Sequence, residues 1–89
     1  MEIEEYDKYI DTMLDIIYEK YKNYFMNEGE IPNLITLSPK MCSVVINYFQ
    51  LPELTTVLGM NIVVSSEVDS FDKIGVYHIE RPDKWKDII

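Results

Sequence analysis

The sequence predicts an α+β protein in which two helices pack on a small mixed sheet of about three strands. Three observations lead to this class. A helical periodicity fills the N-terminal third of the chain, a four-residue apolar run ends in a helix-start signal, and two short β-branched runs follow. The predicted order is helix, strand, helix, strand, strand. With 89 residues, 47% of them apolar, the chain has the size and composition of a single globular domain over residues 1–89.

The first helix is predicted over about residues 3–27, within an acidic N-terminal unit at 1–28. Apolar side chains recur there at spacings of three and four, which is the period of one helical face. Gly29 suits the left-handed position that ends a helix, and Pro32 prevents continuation. The predicted core stripe consists of Ile3, Tyr6, Ile10, Met13, Leu14, Ile17, Tyr21, Tyr24 and Phe25.

Residues 32–80 are predicted to form a strand–helix–strand–strand unit. Its first strand is Leu34–Leu37, which runs directly into Ser38 and Pro39. A serine hydroxyl accepts a hydrogen bond from a free N–H at a helix start, and proline fits the first helical position. Ser-Pro is therefore interpreted as a strand-to-helix switch. The second helix is expected over about 39–49, with an inner face of Met41, Val44, Val45 and Tyr48.

The second half of this unit is expected to complete the sheet. Residues 53–58 are interpreted as a connector with one short turn or an edge strand, and Ile62–Val64 as a strand. Asp69–Lys73 has the composition of a hairpin loop before a last strand at 74–79. Gly75 inside that strand requires something to pack closely against it. The strand–helix–strand unit predicts parallel neighbours, and the hairpin predicts an added antiparallel strand.

The charge of the chain excludes several functions. Sixteen acidic residues face eight basic ones, and residues 1–19 hold seven acids and one lysine. An acidic surface argues against direct nucleic-acid binding, which needs cations to displace counterions from phosphates. No apolar run approaches the roughly 20 residues that cross a bilayer, so no membrane partner is expected. The acidic N-terminus is unlike a secretory signal, which indicates a cytoplasmic location.

No group of residues predicts catalysis or a cofactor. His78 and Cys42 are the only histidine and cysteine, so no zinc site of the usual Cys/His kind and no internal disulfide are expected. A general base needs a partner and a pocket, and nothing near His78 in the sequence suggests a catalytic triad. Cys42 is interpreted as a small buried apolar residue. The acids of the first helix match no calcium loop. We therefore expect no catalytic, cofactor-binding or metal-binding residues.

The candidate partner-binding residues lie on the first helix and at the end of the chain. Tyrosine is a common interface anchor, and Tyr9 and Tyr18 are expected to point away from the core stripe, between carboxylates. Partial burial against the C-terminal residues is the other interpretation of these tyrosines. Glu4, Asp11 and Asp15 are expected to face solvent. Residues 81–89 form an apolar tail with Trp85, Ile88 and Ile89, which is expected to dock on this domain or on a neighbour.

Residues 32–79 resemble a segment of the tailed-bacteriophage major capsid peripheral domain. The segment "PNLITLSPKM" is followed by "LGMNIVVSSEV", and the corresponding positions are 33–40 and 59–65. In that family a strand ends in a Ser-Pro-like helix start, followed by a helix, a connector, a glycine-containing turn and a strand. The chain is too short for a complete capsid subunit. The resemblance implies a phage or prophage origin and a non-catalytic role, and it supplies no catalytic residues.

Two hypotheses about function follow. The first is a non-enzymatic, virion-associated or assembly component that binds copies of itself or another structural protein. The second is an acidic inhibitor of a host protein of defence or nucleic-acid binding, whose carboxylates imitate nucleic-acid phosphates. An enzyme or a ligand-binding protein is ranked last because no constellation of residues supports it.

Overall fold

A computed structural model describes residues 3–80 of the chain, with side chains from residue 4. The predicted tail at 81–89, which includes Trp85, lies outside the described residues. The α+β class is confirmed. Among the described residues, no helix has both the length and the apolarity to cross a membrane. The elements are α1 (Ile3–Glu28), β1 (Leu34–Leu37), α2 (Pro39–Phe49), β2 (Thr56–Val57), β3 (Met60–Val64), a 3₁₀ turn (Phe71–Lys73) and β4 (Gly75–Tyr77).

The sheet has four strands in the order β2-β3-β1-β4, where the sequence predicted about three. The additional strand is β2, a two-residue edge strand within the predicted connector. β1 and β3 are parallel, as predicted. The hairpin predicted at Asp69–Lys73 is wrong, because β4 is antiparallel to β1 and not to β3. Because Val68 and Ile74 are buried in the core, the segment between β3 and β4 crosses over β1 to its other edge.

Both helices pack on the face of the sheet that Ile35 and Leu37 present. These side chains alternate with Leu34 and Thr36, which point to the opposite face as the pleat of a strand requires. On that opposite face Val63 and Tyr77 are about half exposed. One buried cluster joins all the elements of the covered face, and it consists of Ile10, Met13, Ile17, Ile35, Leu37, Met41, Val44, Val45, Met60, Val68 and Ile74.

The helix-start signal at Ser38 behaves as predicted. Its Oγ accepts a hydrogen bond of 3.0 Å from the N–H of Met41, and Pro39 occupies the first turn of α2. The predicted stop of α1 is also present. Gly29 has a φ of 71°, and its N–H donates to the carbonyl of Phe25 at 2.9 Å. A left-handed residue that closes the last helical turn is the usual C-terminal cap.

The predicted core faces of the helices are only partly buried. Leu14 and Phe25 belong to the predicted stripe of α1, yet they are 38% and 48% exposed. Tyr48 is 40% exposed and donates a hydrogen bond to Asp7, so its assignment to the inner face of α2 is wrong. For Phe25 the reason is the size of the sheet, because four short strands cover only the middle of the 26-residue α1 and Phe25 lies near its end. Leu14 lies in the middle of α1 but at the side of the buried face that Ile10, Met13 and Ile17 form.

The end of β4 is fixed by two local arrangements. The ring of Tyr77 lies where a β-carbon at Gly75 would be, which is the close packing that the sequence required of this glycine. Beyond the strand, the side-chain amide of Asn33 forms a pair of hydrogen bonds with Ile79. It donates to the Ile79 carbonyl at 2.9 Å and accepts from the Ile79 N–H at 3.0 Å. The amide therefore extends the pairing between β1 and β4.

Candidate interaction surface

An apolar groove of about 520 Å³ opens where α1, α2 and β2 meet. We call it the α1–α2–β2 groove. It is lined by the middle of α1, the C-terminal half of α2 and the connector with β2. Its lining residues are Leu14, Asp15, Tyr18, Val45, Phe49, Leu51, Leu54, Thr56, Val57 and Leu58.

Large apolar side chains of the groove remain in contact with solvent. Tyr18 is 56% exposed, Leu58 is 54% exposed and Phe49 is 49% exposed. Single exposed apolar residues are ordinary on protein surfaces, whereas a contiguous patch marks an interaction site. The groove brings these three side chains together from three different elements.

Leu58 adopts a backbone conformation that leucine rarely takes. It has a φ of 50°, and the next residue, Gly59, has a φ of 78°. These two residues connect β2 to β3, which pair as antiparallel strands with Val57 opposite Met60. Two consecutive positive φ angles are typical of a type I′ hairpin turn, whose first position favours Asn, Asp or Gly. A leucine there is strained by about 1–2 kcal/mol and presents an apolar side chain at the rim of the groove.

The edge of the sheet lies beside this rim. β2 is the outermost strand and contains only Thr56 and Val57. Edge strands carry unpaired N–H and C=O groups that another extended segment can pair with, and short edges limit unwanted pairing. The groove therefore combines apolar side chains with a short stretch of strand edge.

Acidic side chains border the groove along α1. Asp15 lines the groove itself, and Glu4 and Asp11 are exposed on the same strip of the helix. Glu4 and Asp11 are about two turns apart, and Asp11 and Asp15 are about one turn apart, so all three lie on one side of the helix. Asp7 lies close to this strip and accepts a hydrogen bond from the Tyr48 hydroxyl. That hydrogen bond raises the pKa of Tyr48, and the negative charges of Asp7 and Asp11 raise it further.

Tyr9 and Tyr18, which the sequence grouped together, are on opposite sides of α1. They are about two and a half turns apart, so one faces away from the other. The expectation that Tyr9 points away from the core is wrong. Its ring packs edge-on against Phe71 with 5.0 Å between the ring centroids, and burial raises the pKa of its hydroxyl. The exposed part of the Tyr9 side chain lines a second depression, which has a volume of about 570 Å³ and lies beside the start of α2.

Cys42 and His78 also have defined surroundings. Cys42 is half-buried on α2, and burial raises the pKa of its thiol, which lowers the fraction of reactive thiolate. The Nδ1 atom of His78 lies 2.9 Å from the carbonyl oxygen of Ile31. Because a carbonyl only accepts hydrogen bonds, Nδ1 carries a proton, and in the neutral imidazole the lone pair is then on Nε2.

The residues that sequence reasoning missed are those at the ends of elements. Phe49, Leu51 and Leu58 line the groove. Leu51 and Leu58 follow no helical or strand period in the sequence, whereas Phe49 lies four residues after Val45, which is a helical spacing. One signal was available at Leu58-Gly59, because a large apolar residue before a turn glycine is unusual for a hairpin. In comparisons with models of protein families, with curated proteins and with solved structures, the chain finds no match.

Proposed function

We propose that this protein is a non-enzymatic binding protein and that the α1–α2–β2 groove is its partner-binding site. The occupant is a segment of another protein that carries apolar side chains flanked by lysine or arginine. The observation that carries this proposal is Leu58, an exposed leucine in a left-handed turn position. Strained residues cluster at functional sites, where the cost in stability is offset by a role in binding.

Burial of the exposed groove residues supplies the affinity. Tyr18, Phe49 and Leu58 are each about half exposed. Complete burial of a large apolar side chain contributes about 1.5–3 kcal/mol, so covering the remaining half of each contributes roughly 1 kcal/mol. Aromatic anchors surrounded by weaker apolar contacts are the usual composition of an interface centre.

The charge along α1 defines the chemistry of the partner. Asp15 lies in the groove, and Glu4 and Asp11 extend the acidic strip away from it. A partner with basic residues beside its apolar anchors is attracted to this strip, and a partner with acidic residues is repelled. A second copy of the chain, with its net charge of −8, is disfavoured for the same reason.

A virion-associated or assembly role in a tailed bacteriophage is the more specific form of this proposal. It is supported by the resemblance of residues 32–79 to the capsid peripheral segment. The order of β1, α2, the Leu58–Gly59 turn and β3 follows the order of elements in that segment. A small protein of this kind binds a structural partner in the host cytoplasm and remains associated with the particle.

An acidic inhibitor of a host nucleic-acid-binding protein is the second candidate. It is favoured by the exposed strip of Glu4, Asp11 and Asp15, since regularly spaced carboxylates resemble a line of phosphates. The two candidates differ in which side chains make the contact. The inhibitor uses the carboxylates alone, whereas the assembly component uses the apolar groove with the carboxylates at its border.

Paired variants test the groove. Tyr18→Ser and Leu58→Asn remove apolar groove contacts, and Tyr77→Ser removes an equally exposed ring from the opposite face of the sheet. Proteins captured from the host are compared among the three variants and the wild type. The expected partner is lost from both groove variants and retained by Tyr77→Ser. Its affinity for the purified protein, measured by calorimetry, falls about tenfold or more in each groove variant.

Once a partner is identified, the salt dependence of its binding distinguishes the two candidate functions. Binding through the groove changes modestly between about 50 and 500 mM salt, because burial of apolar surface dominates. Binding by the carboxylates weakens steeply and is abolished by the Glu4→Gln, Asp11→Asn, Asp15→Asn triple variant. A partner that binds the groove variants as tightly as the wild type would contradict the groove. Loss in the triple variant would then identify the inhibitor.

A further inference from the structure

Three side chains that coordinate metals come together at the C-terminal end of α1 and the end of β4. Glu30 lies just beyond α1, and His78 and Glu80 follow β4. One donor atom from each lies within 4.8 Å of the other two. Glu30 and Glu80 are exposed and His78 is partly buried. We propose that these three residues form a binding site for a divalent transition-metal ion of the Zn²⁺ class.

A hydrogen bond holds the imidazole of His78 in a tautomer and an orientation that suit metal coordination. Its Nδ1–H donates to the Ile31 carbonyl at 2.9 Å, which leaves Nε2 as the basic nitrogen. Metal-binding histidines almost always donate their other ring N–H to a carbonyl, a carboxylate or water, and this contact fixes both tautomer and ring orientation. The Ile31 carbonyl lies outside the cluster, so this orientation is independent of the two carboxylates.

The backbone of His78 is held in place as well. Its N–H donates to the hydroxyl of Tyr24 at 3.1 Å, and the next residue, Ile79, is clamped by the Asn33 amide. Asn33 in turn is bonded to the neighbouring strand, since Asn61 donates to its carbonyl at 2.8 Å. A donor that the fold already holds loses little conformational freedom when the metal binds.

The donor set and the local charge select the kind of ion. One imidazole with two carboxylates suits Zn²⁺ and related transition metals, whereas Mg²⁺ and Ca²⁺ prefer oxygen donors alone. The ion pairs found among residues 3–80, Lys22–Glu19 and Lys73–Asp69, lie elsewhere. Two carboxylates and a neutral imidazole leave a site charge of −2, which a divalent cation neutralises. Water completes a four-coordinate geometry around three protein donors.

Zinc titration of the purified 89-residue chain tests this site. Calorimetry in a buffer that does not bind metals is expected to give one equivalent of Zn²⁺. His78→Asn preserves a donor toward the Ile31 carbonyl but removes Nε2, and we expect it to weaken binding about 10-fold or more. Glu30→Gln and Glu80→Gln are expected to weaken it comparably. Glu28→Gln changes an exposed carboxylate two positions from Glu30, outside the cluster, and is expected to leave the affinity unchanged.

The single histidine makes the spectroscopic readout unambiguous. In long-range ¹H–¹⁵N spectra, Zn²⁺ is expected to shift the Nε2 resonance of His78 while Nδ1 stays protonated, and excess Mg²⁺ is expected to cause no such shift. Repeating the titration with Cys42→Ser excludes coordination by the thiol. An imidazole that Zn²⁺ does not perturb, or equal losses in Glu28→Gln and Glu30→Gln, would overturn the site. Either result would mean that the carboxylates attract cations without specific coordination.

Discussion

Ser38 shows how one side chain connects two elements. It ends β1, and its hydroxyl caps α2 through the hydrogen bond to the Met41 N–H. Ser38→Ala removes that bond at a buried position, where the N–H has no water to replace it. We expect the free energy of unfolding to fall by about 1 kcal/mol, as measured by urea denaturation. Ser38→Thr keeps a hydroxyl and is the matched control. Equal losses in the two variants would show that the cap contributes nothing.

The hydrogen bond between Tyr48 and Asp7 gives stability a pH dependence. The pKa of Tyr48 is raised above its ordinary value of 10.0, chiefly by this bond. A group with a raised pKa binds its proton more tightly in the folded state, so its stabilising contribution is complete below the ordinary value and is lost as the pH rises through the raised one. We expect the wild type to lose more stability than Tyr48→Phe as the pH rises above about 10. Parallel thermal melts of the two proteins would measure this difference, and identical pH profiles would contradict it.

The elements that the sequence predicted correctly are those whose ends are set by residues next to them in the chain. β1, α2 and the end of α1 were predicted because Ser38, Pro39 and Gly29 act on their own backbone neighbours. The position of β4 was not predicted, because its pairing with β1 depends on the burial of Val68 and Ile74, which lie outside the strand. The groove escaped prediction for a similar reason. Its side chains come from the middle of α1, the end of α2 and the connector with β2, and only the folded chain brings them together.

The β2–β3 hairpin carries its own prediction. Asn-Gly is the preferred pair for a type I′ turn, and Leu58-Gly59 departs from it at the first position. Leu58→Asn is therefore expected to raise the free energy of unfolding by about 1 kcal/mol while it weakens partner binding. Leu58→Gln removes the apolar side chain but keeps the strain, so it weakens binding without the gain in stability. Chemical denaturation of both variants would show the difference. Destabilisation by Leu58→Asn would mean that Leu58 serves the fold and not the partner.

For the whole molecule, repulsion among the excess negative charges destabilises the folded state. The net charge is −8, and the two ion pairs among residues 3–80 are both exposed, so each contributes at most about 1 kcal/mol. Salt screens the repulsion among the carboxylates of α1. We expect the melting temperature to rise as sodium chloride increases from about 10 to 500 mM. The Asp11→Asn, Asp15→Asn variant is expected to show a smaller rise. A melting temperature that falls with salt would mean that attractive ion pairs outweigh the repulsion.

The central position of β1 has a consequence for how the protein is made. β1 comes first among the strands, yet both of its neighbours, β3 and β4, are synthesised later. Pairings between distant parts of a chain form slowly, since a long loop must close before any contact is gained. During synthesis, both edges of β1 therefore stay unpaired until β3 has emerged from the ribosome, and one edge stays unpaired until residue 77 has emerged. A stalled or truncated product that lacks the last strand leaves one edge of β1 unpaired, and an exposed strand edge can pair with another chain.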